Sequence, residues 1–296
     1  MKKIVIALGG NAILKKGEKP TTETQAKNTK KALEKLFPAV GKNKVVITHG
    51  NGPQVGYLLM QQNAPLDVLD AETEGQIGYL IQQNLQNLFR KNNIKKNIAT
   101  ILTQVLVDDK DESFKNPTKF VGQFYTKKEA KKLKRKFIIK EDFGRGWRRV
   151  VPSPKPIEII ESKVIENLLD LGVVVIAAGG GGIPVTDKNG ILDGVEAVVD
   201  KDLASACLAN SIKADELWMI TDIDKVYLNY RRKGEIGLKK VGLDELKKYF
   251  AEGHFPAGSM GPKIEAAIEF LSSGGKRVLI TDIWGIGRGR GTEIFR

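Results

Sequence analysis

The sequence has a single cysteine, Cys207, and two histidines, His49 and His254. One cysteine excludes a disulfide within the chain and is typical of proteins from a reducing cytoplasm. No apolar run approaches the roughly 20 residues that a membrane-spanning helix needs. These shortages disfavour a disulfide-bonded secreted protein and a membrane protein, and we expect a cytoplasmic chain.

Two common nucleotide-binding motifs are also missing. The P-loop pattern G-x-x-x-x-G-K-[ST] does not occur, and the spacing of Gly50, Gly52 and Gly56 is one residue too long for the dinucleotide fingerprint. The apolar run at residues 4–8 stops too early for a signal peptide and no small-residue cleavage site follows it, so it predicts a first strand. With 296 residues, 41% of them hydrophobic and 28% charged, the chain is predicted to be a globular α/β protein of one domain or two lobes.

Acidic residues are outnumbered by basic ones, which gives a formal charge of +13. Most of this charge is lysine spread along the chain. Its one concentrated run, residues 127–136, lacks interleaved aromatic residues and favours a solvated helix face. We therefore expect no binding to nucleic acids or membranes, whereas small anionic substrates would suit the same charge.

The densest pattern lies in the middle of the chain. The β-branched run at 173–176 predicts a strand buried on both faces, and four glycines at 179–182 follow it closely. Missing side chains allow close approach to the backbone, and a run of glycines has an entropic cost that a simple connection would avoid. Asp200, Lys201 and Asp202 then open a predicted helix. A strand end, a glycine loop and a lysine between two carboxylates indicate a centre that handles phosphate groups.

Similar loops follow other predicted strands. Strands at residues 4–8 and 45–48 lead into Gly9-Gly10-Asn11 and into the loop at 49–56, at the edge where α/β proteins bind ligands. Lys263 begins a predicted helix, where its charge is unfavourable unless the helix end also holds a polyanion. The remaining expected elements are helices at 21–37, 70–91, 244–250 and 264–271, strands at 99–107, 217–221, 278–281 and 292–295, and a polar insertion at 108–156 that is interpreted as a lid.

Eight motifs coincide along almost the whole chain. They are ALGGNA at 7–12, HGNGPQVG at 49–56, KNPTKFVG at 115–122, GRGWRRVVPSP at 144–154, AAGGGGIPV at 177–185, GVEAVVDKDLAS at 194–205, TDIDKVY at 221–227 and GSMGPKIEAAI at 258–268. In these motifs the sequence resembles the carbamate kinases, a family of the amino-acid kinase superfamily. The lid motifs that contain Lys119 and Trp147 distinguish the carbamate kinases from other kinases of the superfamily, because those kinases share the glycine loops and lack this insertion.

The resemblance implies one domain with the amino-acid kinase fold: α/β, a three-layer αβα sandwich around a mainly parallel central sheet, with a small protruding lid subdomain at 115–156. It implies an acceptor-binding lobe at 1–212 and a nucleotide-binding lobe at 213–296, in a homodimer. The implied reaction is reversible phosphoryl transfer between ATP and carbamate, which gives ADP and carbamoyl phosphate, with Mg²⁺. The resemblance implies no particular protein ligand for the metal, and it implies no general base because carbamate is already an anion.

The resemblance also assigns roles to residues at the matching positions. Lys119 would lie on the acceptor side under the lid, Lys201 at the transferred phosphoryl group and Lys263 at the nucleotide phosphates. Asp202 would hold these lysines in place. The expected acceptor-binding residues, through N–H and amide donors, are Gly9, Gly10, Asn11, Gly50, Asn51 and Gly52, and the expected nucleotide-binding residues are Thr221, Asp222, Tyr227, Met260 and Lys263.

Each signal also has an ordinary structural interpretation. The glycine pairs could be tight strand–helix turns, Asp202 a helix-initiating acid and Lys263 a solvated surface charge. His49 is expected to be a hydrogen-bonded structural residue and Cys207 a core residue, and Trp147 could be a brace for the lid. Three alternative functions stay open: a superfamily kinase with another carboxylate or phosphate acceptor, a non-catalytic nucleotide- or oxyanion-binding protein, and a nucleic-acid-binding protein.

Overall fold

The computed structural model describes residues 1–14, 17–19, 21–133, 136–142, 146–256 and 260–296. Its strands are β1 (Lys3–Leu8), β2 (Lys44–His49), β3 (Ile98–Thr100), β4 (Gln104–Val107), β5 (Lys119–Tyr125), β6 (Ile139–Asp142), β7 (Gly146–Val151), β8 (Pro156–Ile159), β9 (Val174–Ile176), β10 (Ile183–Lys188), β11 (Ile191–Gly194), β12 (Glu216–Thr221), β13 (Val226–Leu228), β14 (Ile236–Leu238), β15 (Lys240–Gly242), β16 (Arg277–Asp282) and β17 (Thr292–Phe295). Its helices are α1 (Thr22–Lys42), α2 (Gly52–Gln61), α3 (Leu66–Lys91), α4 (Glu112–Lys115), α5 (Lys127–Leu133), α6 (Ser162–Asp170), α7 (Lys201–Ser211), α8 (Leu243–Ala251) and α9 (Gly261–Ser272).

Eight of these strands form the central sheet, in the order β15-β17-β16-β12-β1-β2-β9-β3. Neighbouring strands are parallel except for β16 and β17, which are antiparallel. Every residue of β1 from Ile4 to Leu8 is apolar and at most 1% exposed, which is the pattern of a parallel strand covered on both faces. The strand predicted at 4–8 and the mainly parallel sheet are therefore confirmed.

Helices cover the sheet on both sides. Alternate residues of β1 face opposite layers, with Ile4, Ile6 and Leu8 in one apolar cluster and Val5 and Ala7 in the other. The first cluster includes side chains of α1 and α3, and the second includes side chains of α6, α7, α8 and α9. Removing this apolar surface from water is the main stabilising force for such layers. The expected three-layer αβα sandwich is confirmed.

The lid is built on a separate small sheet. Strands β5, β7 and β6 pair in antiparallel fashion, and α5 carries exposed lysines of the basic run. β5 lies directly against α2, because a Cβ added to Gly56 would sit 3.4 Å from the Cα of Gly122. This contact places the lid beside the helix that follows β2.

The single strand predicted at 99–107 is wrong. The chain forms β3 in the central sheet and, after a break, β4 in a four-stranded sheet with β8, β10 and β11. Thr103 holds the break, because its N–H donates to Glu74 and its hydroxyl accepts from the N–H of Ala178. An apolar run alone cannot reveal this change of sheet, since the partners are distant in sequence.

Two helices are longer than their patterns predicted. The helix predicted at 21–37 continues past a proline to Lys42, and Val40 extends its buried stripe. The helix predicted at 70–91 begins earlier, at Leu66. No helix in the described ranges is both long enough and apolar enough to cross a membrane.

Candidate active site

A cavity of about 690 Å³ lies at the carboxyl edge of the central sheet. It opens where β1, β2 and β12 end, and β5 of the lid and the first turns of α7 and α9 complete its wall. Ligands of open α/β folds bind at this edge. The side chain of Asn11 lies outside the described structure. The other predicted site residues all line the cavity: Gly9, Gly10, Gly50, Asn51, Gly52, Lys119, Lys201, Asp202, Thr221, Asp222, Tyr227, Met260 and Lys263.

The start of α7 carries Lys201 and Asp202. Asp200 is the N-cap of this helix, since its carboxylate accepts from the N–H of Asp202 at 2.9 Å. Gly181 permits the close approach of the preceding segment: its φ is +108°, and an added Cβ would lie 2.2 Å from the carbonyl oxygen of Val199. The glycine loop thus packs against the helix start, and the positive end of the helix dipole lies at the cavity.

Five charged side chains form a cluster in the cavity wall. Asp202 accepts from Lys201 at 2.5 Å on one oxygen and from Lys263 at 2.7 Å on the other. Lys119 of the lid donates to Asp200 at 2.7 Å. Segments that are far apart in sequence thus bring three ammonium groups and two carboxylates together. The excess of positive charge suits an anionic ligand.

Burial and pairing act in opposite directions on the pKa values of this cluster. Burial alone would raise the pKa of Asp202, but the ammonium groups of Lys201 and Lys263 hold it well below its usual range. Burial would lower the pKa of Lys263, yet the Asp202 carboxylate raises it. The pKa of Lys201 is lowered by burial, which outweighs the attraction of Asp202. An anion bound beside Lys201 would favour its charged form.

The segment after β12 forms the aromatic part of the cavity. The Tyr227 hydroxyl donates to Asp224 at 2.7 Å, which fixes the ring, and the ring centroid lies 5.7 Å from that of Tyr230. Tyr230 and Arg231 line the cavity as well, although neither belongs to the residues predicted for the site. Residues 257–259, which include the start of the last glycine motif, lie outside the described structure.

Asn51, a predicted acceptor-binding residue, is held from behind by α3. Its amide nitrogen donates to Asp70 and to Thr73, both at 2.9 Å. Both amide hydrogens are thereby engaged within the protein, so the donor that Asn51 can offer to a substrate is its main-chain N–H. Gly180 packs closely against this side chain, because an added Cβ would lie 2.3 Å from the amide nitrogen.

Glu74 on the same helix fixes the glycine loop. Its two carboxylate oxygens accept from the N–H of Gly179 at 2.7 Å and the N–H of Thr103 at 3.0 Å. Burial raises its pKa to about 8, against the opposing effect of these hydrogen bonds. Sequence reasoning missed Asp70, Thr73 and Glu74. The signal that could have found them is three polar residues at helical spacing on the apolar face of a helix.

Three residues for which a structural role was considered do not line the cavity: His49, Cys207 and Trp147. His49 is buried with its Nδ1 3.4 Å from the carbonyl oxygen of Gly50, and burial lowers its pKa to about 4, so the ring is neutral. Cys207 is half-buried against the core, and burial raises the pKa of its thiol to about 11. Trp147 belongs to β7 of the lid sheet, and residues 143–145 before it lie outside the described structure.

Comparison with known proteins identifies the family. A model of the amino acid kinase family matches residues 2–282. The carbamate kinase of Pyrococcus horikoshii is 48% identical over 294 residues, which cover 95% of this chain and 94% of that protein. Carbamate kinase 1 of Enterococcus faecium is 47% identical, with 99% and 97% covered. The solved structure of carbamate kinase from Giardia lamblia bound to AMP-PNP superposes with a TM-score of 0.92 at 44% identity, over 99% of this chain and 98% of that one. The chain therefore belongs to the amino acid kinase family, and it is a phosphotransferase enzyme that groups with the carbamate kinases of that family.

Proposed function

We propose that the chain catalyses reversible phosphoryl transfer between ATP and carbamate, giving ADP and carbamoyl phosphate. The activity named for its relatives supports this acceptor. The observation that carries the proposal is the arrangement of Lys119, Lys201 and Lys263 around Asp200 and Asp202 in one cavity. The attacking oxygen, the transferred group and the leaving group are all anionic, so positive charge is what the site must supply.

Each lysine would neutralise a different part of the reacting system. Lys119, which comes from the lid, would neutralise the acceptor. Lys201 would accompany the transferred phosphoryl group, together with the N–H groups at the start of α7. Lys263 would neutralise the phosphates of the nucleotide. Asp202 keeps two of these ammonium groups in position before substrate arrives, which lowers the reorganisation needed in the transition state.

The transfer step needs no proton acceptor, because carbamate enters as an anion. A carbamate oxygen would attack the γ-phosphorus in line while the bond to the ADP oxygen breaks. The position of His49 supports a step without acid–base catalysis by this residue, since the ring is buried outside the cavity lining. The glycine loops after β1 and β2 would offer main-chain N–H groups to the acceptor and the phosphoryl group.

We assign the acceptor to the lobe at 1–212 and the nucleotide to the lobe at 213–296. Tyr227 and Met260 belong to the second lobe and line the cavity, and they would pack near the adenine ring. The Giardia relative was solved with AMP-PNP, an analogue of ATP. This supports a nucleotide as the ligand of the same cavity here.

We propose that Mg²⁺ enters with the nucleotide. No group of three or more His, Cys, Asp or Glu side chains within the described ranges could hold a metal ion. Asp200 and Asp202 line the cavity but are engaged by lysines. Such a wall fits an ion that keeps several waters and is held mainly by phosphates. When bound, the ion would neutralise further phosphate charge.

We also propose that the enzyme is a homodimer. The support is a set of apolar side chains on α2 and α3 that are between 43% and 59% exposed: Tyr57, Met60, Val68 and Tyr79. Val68 and Tyr79 are about three helical turns apart and point in the same direction. Sedimentation velocity should show a dimer that dissociates in Tyr79→Glu, whereas a monomeric wild type would contradict the proposal.

A cytoplasmic location stays a prediction that rests on the single cysteine.

The decisive assay for the reaction is ATP formation from ADP, Mg²⁺ and carbamoyl phosphate. We expect turnover by the intact chain and a loss of about a hundredfold in kcat for Lys201→Ala, because a preorganised charge on the transferred group is removed. Lys128→Ala is the matched control, since Lys128 is an exposed lysine of α5. Circular dichroism would verify that both variants are folded.

Absence of ATP formation by the intact chain, together with clear ADP binding, would overturn the assignment of carbamate. A panel of acceptors then separates the alternatives. Turnover with acetylglutamate, aspartate or a nucleoside monophosphate would identify a different kinase of the family, and no turnover with any acceptor would favour a binding protein. A steeply salt-dependent affinity for duplex DNA would indicate a nucleic-acid-binding protein.

A further inference from the structure

Six non-glycine residues in the described part of the chain have a positive φ. Three are asparagines, which tolerate this conformation, and Lys213 follows the end of α7, where helices commonly adopt it. The remaining two adjoin the cavity. Ala178 precedes the glycine loop, and Arg231 lines the wall. Unfavourable backbone conformations cluster at ligand sites, so Arg231 is a candidate for a role in binding.

Arg231 has a φ of +58°, which glycine or asparagine would adopt at lower cost. Its main-chain N–H donates to the Glu235 carboxylate at 2.6 Å, and this hydrogen bond does not require an arginine side chain. The turn thus keeps a costly residue where a smaller one would fold more favourably. The reason for an arginine has to be sought in its side chain.

The guanidinium of Arg231 lies over the ring of Tyr230, 5.2 Å from its centroid, and Tyr230 packs on Tyr227. No carboxylate side chain in the described ranges forms an ion pair with Arg231, whereas each lysine of the cavity cluster has a carboxylate partner. Arg231 therefore brings to the cavity wall a guanidinium that is held by an aromatic ring and has planar donors to offer.

We propose that Arg231 binds the base of the nucleotide. The inference rests on the proposed function, since it takes ATP and ADP as ligands of this cavity. The lysine cluster supplies charge for the phosphates, whereas Arg231 lies outside that cluster and belongs to the aromatic part of the wall with Tyr227 and Tyr230. Purine rings stack on aromatic and guanidinium planes, and their edges accept hydrogen bonds. Arg231 would therefore add affinity for the nucleotide and leave the transfer step unchanged.

Calorimetric titration with ADP tests this role in the full-length protein. We expect Arg231→Ala and Arg231→Gly to bind ADP about tenfold more weakly, because one charged contact is lost. In ATP formation, the KM for ADP should rise by the same factor at unchanged kcat. Arg231→Gly should keep a Tm near that of the wild type, since glycine accepts the positive φ and this gain offsets the lost contact with Tyr230. A loss of affinity at an unchanged Tm cannot come from unfolding.

Arg232→Ala is the matched control. Arg232 is the adjacent, exposed arginine and does not line the cavity, so ADP binding should equal that of the wild type. Equal losses of ADP affinity in the Arg231 and Arg232 variants would mean that the general positive charge of this surface causes the effect, and this result would overturn the inference.

Inorganic tripolyphosphate separates the base from the phosphates. It should bind the wild type and Arg231→Ala equally. A matching loss of tripolyphosphate affinity would place Arg231 at the phosphates and overturn the inference, as would unchanged ADP affinity in both Arg231 variants. An intact chain that forms no ATP but binds ADP through Arg231 would support the inference and overturn the proposed reaction alone.

Discussion

Asp202 is almost completely buried, and its two oxygens accept from Lys201 and Lys263. It is the one carboxylate shared by two ammonium groups of the cavity cluster. Because its pKa in the folded state is depressed, its contribution to stability is complete above the ordinary carboxyl range. That contribution is lost only as the pH falls through the lower pKa of the folded state, so the cluster should persist in mild acid.

We expect Asp202→Asn to lower kcat by about a hundredfold and to lower the Tm, because an ion left unpaired in a buried site costs about 3–5 kcal/mol. Without the carboxylate, the pKa of Lys263 is no longer raised. Lys263 should therefore lose its proton at a lower pH, and the activity of the variant should decline earlier than that of the wild type as the pH rises. A profile of kcat from about pH 6 to about pH 10 measures this shift.

Asp109→Asn is the control for this experiment. Asp109 is an exposed acid outside the cavity lining, so its removal changes the net charge equally without touching the cluster. An alkaline limb of Asp202→Asn that coincides with that of the wild type would contradict the role assigned to Asp202.

The glycines and lysines of the site could be predicted because their chemistry follows from residue type and from a short motif. Asn51 could be placed in the site but its contacts could not, since Asp70 and Thr73 reach it from another helix. No local sequence pattern indicates which hydrogen-bonding groups of Asn51 are left to bind a substrate. Arg231 was missed because its φ and its position over Tyr230 depend on how the turn folds.

Among the elements, α3 connects two loops of the cavity wall, those of Asn51 and of Gly180. One face of this helix carries Asp70, Thr73 and Glu74, which bind Asn51 on one side and Gly179 on the other. The helix is fixed in the core by apolar residues along the same face. A change at Glu74 should therefore reach the cavity through the glycine loop, without loss of a direct substrate contact.

We expect Glu74→Gln to lower kcat about tenfold and to cost about 1–3 kcal/mol of stability in mild acid, because an amide cannot accept from both N–H groups. Wild-type Glu74 has a pKa raised by burial from 4.5 to about 8. The contribution of Glu74 to stability is complete at a pH below 4.5, its pKa in the unfolded chain, and it is lost as the pH rises through about 8, its pKa in the folded chain. Glutamine has no proton to lose, so the free energy of unfolding of the variant should fall less over this range. Urea unfolding at several pH values measures the difference.

Glu72→Gln provides the comparison on the same helix, because Glu72 is exposed. Its unfolding free energy should follow the wild-type dependence on pH. If Glu74→Gln and the wild type instead lose stability in parallel between these pH values, Glu74 is not the titrating group and the buried carboxylate has no part in this dependence.

Buried strands such as β1, β9 and β12 could be predicted because an apolar run is a local property. The choice of partner strand could not be predicted in the same way. Residues 99–107 were predicted to form one strand, yet Thr103, which donates its N–H to Glu74 and accepts from the N–H of Ala178, divides them between two sheets. Such contacts join residues far apart in sequence, and the polar pair Thr103-Gln104 inside the segment does not reveal which strands lie on either side of it.

In the molecule as a whole, positive charge is concentrated on the lid. The segment 115–156 has fourteen basic and three acidic residues, so it holds +11 of the formal charge of +13. The net positive charge is therefore concentrated in one segment, although it was interpreted above as lysine spread along the chain. Exposed charges act over about one Debye length, roughly 8–10 Å at physiological salt. The lid also supplies Lys119 to the cavity, so under the proposed function anionic substrates would approach through the field of this segment.

We expect that replacing three exposed lysines of α5 by glutamine lowers kcat/KM for carbamoyl phosphate about threefold at low salt, because long-range attraction of the anion is weakened. The three positions are Lys127, Lys128 and Lys131. The difference from the wild type should disappear at high salt, since exposed charges are then screened. The kcat should not change, because the proposed transfer step would depend on the cluster of Lys119, Lys201 and Lys263 in the cavity wall and not on α5.

The control changes the net charge by the same amount at a distance from the lid. It replaces three exposed lysines of α1, namely Lys27, Lys30 and Lys31. If attraction by the lid is the cause, this variant keeps a kcat/KM near that of the wild type at every salt concentration. Equal losses in both triple variants would show that total charge matters and its location does not. A lid variant that matches the wild type at low salt would mean that the basic run is a solvated helix face without a role in substrate capture.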